Sequence, residues 1–129
     1  LNGTPLGWSA GRLTSTPVSS CQGEYLAASL AAILVIALRD SCEFIGLKLA
    51  APTFVFSDNM AAVQLADNNT SSKRLKHVAT RIAFLREVRD QGAIALYHIS
   101  GVGQVADIFT KPLPAATFHE HRRFLVGPA

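Results

Sequence analysis

A chain of 129 residues with 49% hydrophobic and 16% charged side chains is long enough for one compact domain and too apolar for a disordered segment. Twelve Lys and Arg against nine Asp and Glu leave a formal charge of +3, which permits a polyanionic partner without demonstrating one. Cys21 and Cys42 are too few and too widely spaced for a disulfide framework or a cysteine-rich metal site, so reduced thiols and an intracellular, cytoplasmic setting are expected.

The first nineteen residues are rich in Gly, Ser, Thr and Pro and hold one strand-like piece, Pro5 to Ser9 around Trp8. Ser19 or Ser20 can cap a helix running from about Cys21 to Phe44, in which Leu26, Leu30, Ile33, Leu34, Ala37 and Leu38 recur at spacings of three and four. Its apolar stretch, Tyr25 to Leu38, falls short of the roughly 20 residues that span a bilayer, so a buried helix and no membrane contact are expected. No charged and apolar leader opens the chain.

Gly46 and Pro52 end that helix, and Thr53 to Phe56 reads as a buried strand that delivers Ser57 and Asp58 at its carboxyl end. A short helix is expected over Asn59 to Ala66 and a polar loop over Asp67 to Ser72. Leu75 to Arg89 forms a second amphipathic helix, with Val78, Ile82, Leu85 and Val88 inward and its basic residues outward. Gly92 closes it; Ile94 to Ile99 makes another strand, in which Tyr97 is expected to be buried, as is Trp8 in its own piece. After Gly101-Val102-Gly103, Gln104 to Thr110 reads as helical, Pro112 and Pro114 break it, and Thr117 to Val126 forms a terminal helix. There, His119 and His121 stand two apart, which points them to different sides and suits surface residues.

Six of the twelve Lys and Arg fall between Lys73 and Arg89, namely Lys73, Arg74, Lys76, Arg81, Arg86 and Arg89, with His77 among them. That segment is the candidate phosphate-facing surface. Three carboxylates stand beside apolar sequence: Glu24 in the first turn of the long helix, Asp58 after the strand and Asp107 in a late helix. Hard divalent cations take oxygen ligands from several converging elements, and these three can supply part of such a set. By position alone, helix capping and dipole compensation explain them better.

Several stretches together resemble the ribonuclease H domain of copia-type LTR retrotransposon polyproteins. They are Ser19-Ser20-Cys21-Gln22-Gly23-Glu24-Tyr25, Ser57-Asp58-Asn59, Lys76-His77, and Ala106-Asp107-Ile108-Phe109-Thr110-Lys111-Pro112-Leu113-Pro114. The last run is the most specific, and the resemblance extends from about Pro5 to Leu125. It implies a single partial domain over 1–129, an α/β fold with a ribonuclease H-like mixed sheet and flanking helices, lacking the first two strands. It also implies an endonuclease that hydrolyses the RNA strand of RNA/DNA hybrids with two Mg2+ or Mn2+ ions during reverse transcription. Glu24, Asp58 and Asp107 would then be catalytic, metal-binding carboxylates, and Lys73, Arg74, Lys76, His77 and Arg81 would hold the nucleic acid. His98, ahead of the Gly-Val-Gly turn, matches the region where related nucleases place a histidine that assists product departure.

Two departures qualify the resemblance. Cys21, Gln22 and Gly23 stand where the family usually has Thr-Glu-Ala, although the Glu that follows is kept. The family's first catalytic Asp lies on a strand upstream of Pro5-Leu6-Gly7-Trp8, and this sequence starts after it. Asp40, sixteen residues beyond Glu24 on the same helix, lies about 24 Å away and cannot replace it. The expected partners are therefore an RNA/DNA hybrid together with a reverse transcriptase segment or a second copy of the chain. The competing reading is a catalytically inactive remnant that binds nucleic acid or a partner chain.

Overall fold

The structure, a computed structural model, describes residues 5–7, 10, 20–67 and 79–127. They fall into two compact units, Ser15–Ile99 on one hand and Leu1–Thr14 with Ser100–Ala129 on the other. Lys73, Arg74, Lys76, His77, Trp8 and the loop 68–72 lie outside the described residues.

In the larger unit, α1 (Ser20–Phe44) is followed by β1 (Thr53–Ser57), α2 (Met60–Asp67), α3 (Ala79–Asp90) and β2 (Ile94–His98). β1 and β2 pair in parallel, Thr53 opposite Ile94 and Ser57 opposite His98. The expected α/β class is what the described residues adopt: a parallel strand pair flanked by helices, consistent with a ribonuclease H-like arrangement from which strands are missing.

Two glycines stop the two long helices by the same geometry. Gly46 (φ 83°) donates to Glu43 O while Leu47 N–H reaches Cys42 O; Gly92 (φ 74°) donates to Arg89 O while Ala93 N–H reaches Val88 O. Both are Schellman closures, in which a residue at positive φ lets two terminal carbonyls find donors. The second of them turns the chain directly into β2.

The core is one layer between α1, α3 and one face of the strands: Tyr25, Ala28, Ala32, Val55, Ile82, Leu85, Val88 and Ile94. Of the inward positions expected on the amphipathic helix, Ile82, Leu85 and Val88 are buried, and Val78 lies outside the described residues. On α1 the expectation fails. Leu30, Ile33, Leu34 and Leu38 are 46–57% exposed, and the buried stripe is Tyr25, Ala28, Ser29 and Ala32. Small side chains at 28, 29 and 32 let the helix approach its neighbours closely, whereas the leucine side meets no layer among the described residues. Tyr97 likewise departs from expectation, being 47% exposed on the uncovered face of the sheet.

Gly23–Phe44 of α1, at 22 residues, is long and apolar enough to cross a membrane by length and composition. The apolar stretch alone was too short a measure, because the helix continues beyond it. Tyr25, Ala28 and Ala32 pack one side of α1 on β1 and α3 residues, and 22% of its 18-residue apolar window is buried.

In the smaller unit residues 5–7 are exposed and are not in a strand, while Trp8 and Ser9 of the expected strand-like piece lie outside the described residues. Gly101–Gly103 and Val105–Phe109 are 3-10 segments, and α4 (Ala115–Val126) packs on the second of these. The late helix is 3-10 rather than α because its bonds run three residues back, as in Asp107 N–H to Gln104 O and Thr110 N–H to Asp107 O. Pro112 follows too closely for a longer helix to develop.

Candidate functional site

Asp58 occupies the carboxyl end of a parallel strand, the edge where open α/β sheets present ligand-facing groups. The local sequence holds it there. Ser57 is buried, its carbonyl accepts from Ile99 N–H at 2.9 Å, and its Oγ accepts from Asn59 N–H at 3.2 Å. Asn59 O then accepts from Val63 N–H at 3.2 Å, opening α2 immediately after the carboxylate. Asp58 itself is half-buried.

Glu24 lies in the second turn of α1, not the first as the sequence suggested, because the helix already runs from Ser20. It is therefore past the free N–H groups that a first-turn carboxylate would compensate. Next to it, the fully buried Tyr25 donates from its hydroxyl to Ala61 O at 3.1 Å. That bond ties the turn carrying Glu24 to the first turn of α2, three residues after Asp58. Two of the three expected carboxylates are thus carried on segments fastened to each other.

Asp107 belongs to the smaller unit. Its side chain is 14% exposed and its Oδ1 lies 2.9 Å from Lys111 Nζ. Thr110 and Lys111 both donate from their backbone to Asp107 O, so the segment folds around this residue. The Lys111 ammonium thus supplies that carboxylate with a cation from the chain itself. Among the described residues no three His, Cys, Asp or Glu side chains are grouped to hold a metal ion.

Of the expected nucleic-acid contacts, Arg81 is the one within the described residues. It is exposed, and its Nη1 donates to Ser29 Oγ at 2.9 Å. Ser29, 1% exposed, donates from its own hydroxyl to Leu26 O at 2.8 Å. Arg81 therefore braces α3 against α1, whatever else its guanidinium meets. His98 ends β2 in register with Ser57 and is exposed.

His121 is the residue that sequence reasoning misplaced. It is 3% exposed, with Nε2 buried and without a hydrogen-bond partner among the described residues. The two-residue spacing from His119 correctly separated the pair, but only the packed side of α4 tells which one is inside.

At the opposite end of β1 from Asp58 lies a shallow depression of about 360 Å³ lined by Arg39, Glu43, Lys48, Leu49 and Ala50. The Arg39 guanidinium is committed there to Leu49 O at 2.7 Å, Ala51 O at 2.9 Å and Thr53 Oγ1 at 3.2 Å. This arginine shapes the chain path; its bonds are structural.

These features define an α/β module with an acidic residue at the carboxyl edge of a parallel strand and a second acidic residue fastened nearby. The chain is similar to the retrovirus-related Pol polyproteins of two Arabidopsis thaliana transposons, RE2 (29% identity over 92% of this chain) and RE1 (29% over 88%). It is also similar to the retrovirus-related Pol polyprotein of transposon TNT 1-94 from Nicotiana tabacum (28% over 98%). The chain spans only 8–9% of the length of these relatives. No family model matches it, and no solved structure does.

Proposed function

We infer that this chain is the ribonuclease H portion of a copia-type retrotransposon polyprotein, a hydrolase acting on the RNA strand of RNA/DNA hybrids. The observation that carries the reading is Asp58 at the carboxyl end of β1 beside the Tyr25–Ala61 bond, within a sequence similar along nearly its whole length to Pol polyproteins. Glu24, Asp58 and Asp107 are the catalytic carboxylates in this reading, and Mg2+ or Mn2+ the cofactor. In this reading a reverse transcriptase segment or a second copy of the chain completes the carboxylate set. Lys73, Arg74, Lys76, His77 and Arg81 supply the cationic surface for the hybrid, in an intracellular, cytoplasmic setting.

The second reading is a catalytically silent module that retains nucleic-acid or partner binding. The ion pair between Asp107 and Lys111 favours it, since a paired carboxylate is a poor acceptor for a second cation. Cleavage of a labelled RNA/DNA hybrid in Mg2+ or Mn2+ by this chain and by Asp58→Asn separates the two. The nuclease reading expects cleavage that the variant loses by at least about two orders of magnitude. Salt-sensitive binding equal in both proteins, without cleavage in either, would replace it with the second reading.

A further inference from the structure

Two hydrogen bonds from neighbouring turns of α1 fasten it to α2 and α3. The Tyr25 hydroxyl donates to Ala61 O, three residues after Asp58, and Ser29 Oγ accepts from Arg81 Nη1 at 2.9 Å. Tyr25 and Ser29 stand four residues apart, about 6 Å along the helix. The topology fixes which end of the unit this is. α3 runs through the Gly92 turn directly into β2 and packs back on it, so the two are antiparallel. A helix of 12 residues is about 18 Å long and a strand of five about 16 Å. The first turn of α3, with Arg81, therefore comes level with the end of β2. β1 pairs in parallel with β2 and ends there too, at Ser57 and then Asp58.

Ser29 has its hydroxyl proton committed to Leu26 O, which leaves the oxygen's lone pairs to Arg81. Arg81 is otherwise exposed, and its Nε and Nη2 have no partner among the described residues. Those two nitrogens carry parallel N–H groups, the fork that takes two oxygens of one phosphate. An untethered arginine gives up much rotamer freedom to present that fork. Here the bond at Nη1 has already ordered the side chain, so less is lost when an anion arrives. In sequence Arg81 follows Lys73, Arg74, Lys76 and His77, the cationic run proposed above to face the hybrid.

We propose that Ser29 is a positioning residue for nucleic-acid binding: it holds Arg81 as a preformed clamp for one backbone phosphate at the edge that carries Asp58. The proposal rests on the nucleic-acid binding common to the two readings above. A phosphate contact carries no base information, so the clamp sets where the backbone of the hybrid lies and leaves its sequence unread. Arg81→Lys keeps the charge but loses both the fork and its fixed geometry. Ser29→Ala keeps Arg81 and its charge and removes only what holds the guanidinium. Alanine suits that position, since Ala28 and Ala32 share the buried stripe.

Binding of the full chain to a labelled RNA/DNA hybrid over a salt series tests it, with helical circular dichroism confirming the fold of each variant. Arg81→Ala is expected to lower the salt slope by about one phosphate contact. Ser29→Ala is expected to weaken binding about three- to tenfold, the ordering cost of one long side chain, while keeping the slope of the parent. Added to Arg81→Ala it should cost nothing further, because no guanidinium is left to position. Arg81→Lys should likewise keep the slope and weaken binding. An equal loss from Ser29→Ala with and without Arg81 marks a merely structural residue and overturns the proposal. So does parent affinity in Ser29→Ala, or an unchanged slope in Arg81→Ala. Should Ser29→Ala lose its fold, parent affinity in Arg81→Lys overturns it instead. A parent that binds no hybrid at any salt concentration overturns the nucleic-acid reading and the proposal together, whereas the other failures leave that reading standing.

Discussion

Val55 and Ser57 are buried, while Phe54 and Phe56, each one residue away on the same strand, are about half exposed. The exposed face, with its two phenylalanines, is the more apolar of the two, and what sets the buried face apart is the layer that covers it. Tyr25, Ala28 and Ala32 of α1 and Leu85 and Val88 of α3 close one face; the other carries three aromatic rings that touch one another. Burial here is decided by the supply of a covering layer. Stability should therefore be concentrated in one thin layer, and substitutions should divide sharply by face.

The largest effect is expected at Leu85, 1% exposed at the centre of the covered layer. Leu85→Ala should cost about 2–5 kcal/mol, enough to unfold a small domain in part, and urea titration followed by helical circular dichroism measures it. A loss under 1 kcal/mol would mean that the layer is not the stabilising core. Tyr25→Phe keeps the ring and removes the donor to Ala61 O, and should cost about 1 kcal/mol. If α2 exchanges its amide hydrogens no faster in that variant, the tie between the segments carrying Glu24 and Asp58 is not made by this bond. The smallest effect belongs to the open face. Phe54→Thr in dilute solution should stay within about 0.5 kcal/mol of the parent, and a larger loss there would show that something already covers the aromatic side.

Much of this was legible beforehand where one pattern had one reading. Ile82, Leu85 and Val88 stand out because the helix around them is charged, so the apolar stripe is unambiguous. Gly46 and Gly92 mark helix ends because positive φ favours glycine. α1 offered no such contrast: it is apolar on nearly every side, and periodicity selected its leucines where packing selected Tyr25 and the small residues at 28, 29 and 32. Asp58 could be read at a strand end from Thr53-Phe54-Val55-Phe56. Asp107 and Lys111 pair at an i,i+4 spacing that crosses the end of the 3-10 segment, where Lys111 N–H also reaches Asp107 O. The burial of His121 depends on which side of α4 meets Val105–Phe109, and His119 offered an equivalent choice.

The three bonds from Arg39 to Leu49 O, Ala51 O and Thr53 Oγ1 have a consequence for alignment. A strand slipped by one residue would turn Phe54 and Phe56 into the core and expel Val55 and Ser57. The composition of the strand does not oppose that exchange, since Phe54 and Phe56 are more apolar than Val55 and Ser57. The guanidinium, anchored on α1 and gripping the connector just ahead of the strand, measures the connector's length and removes the slack a slip would need. Arg39 thereby acts as a ruler: it selects between two otherwise comparable ways of threading the same five residues.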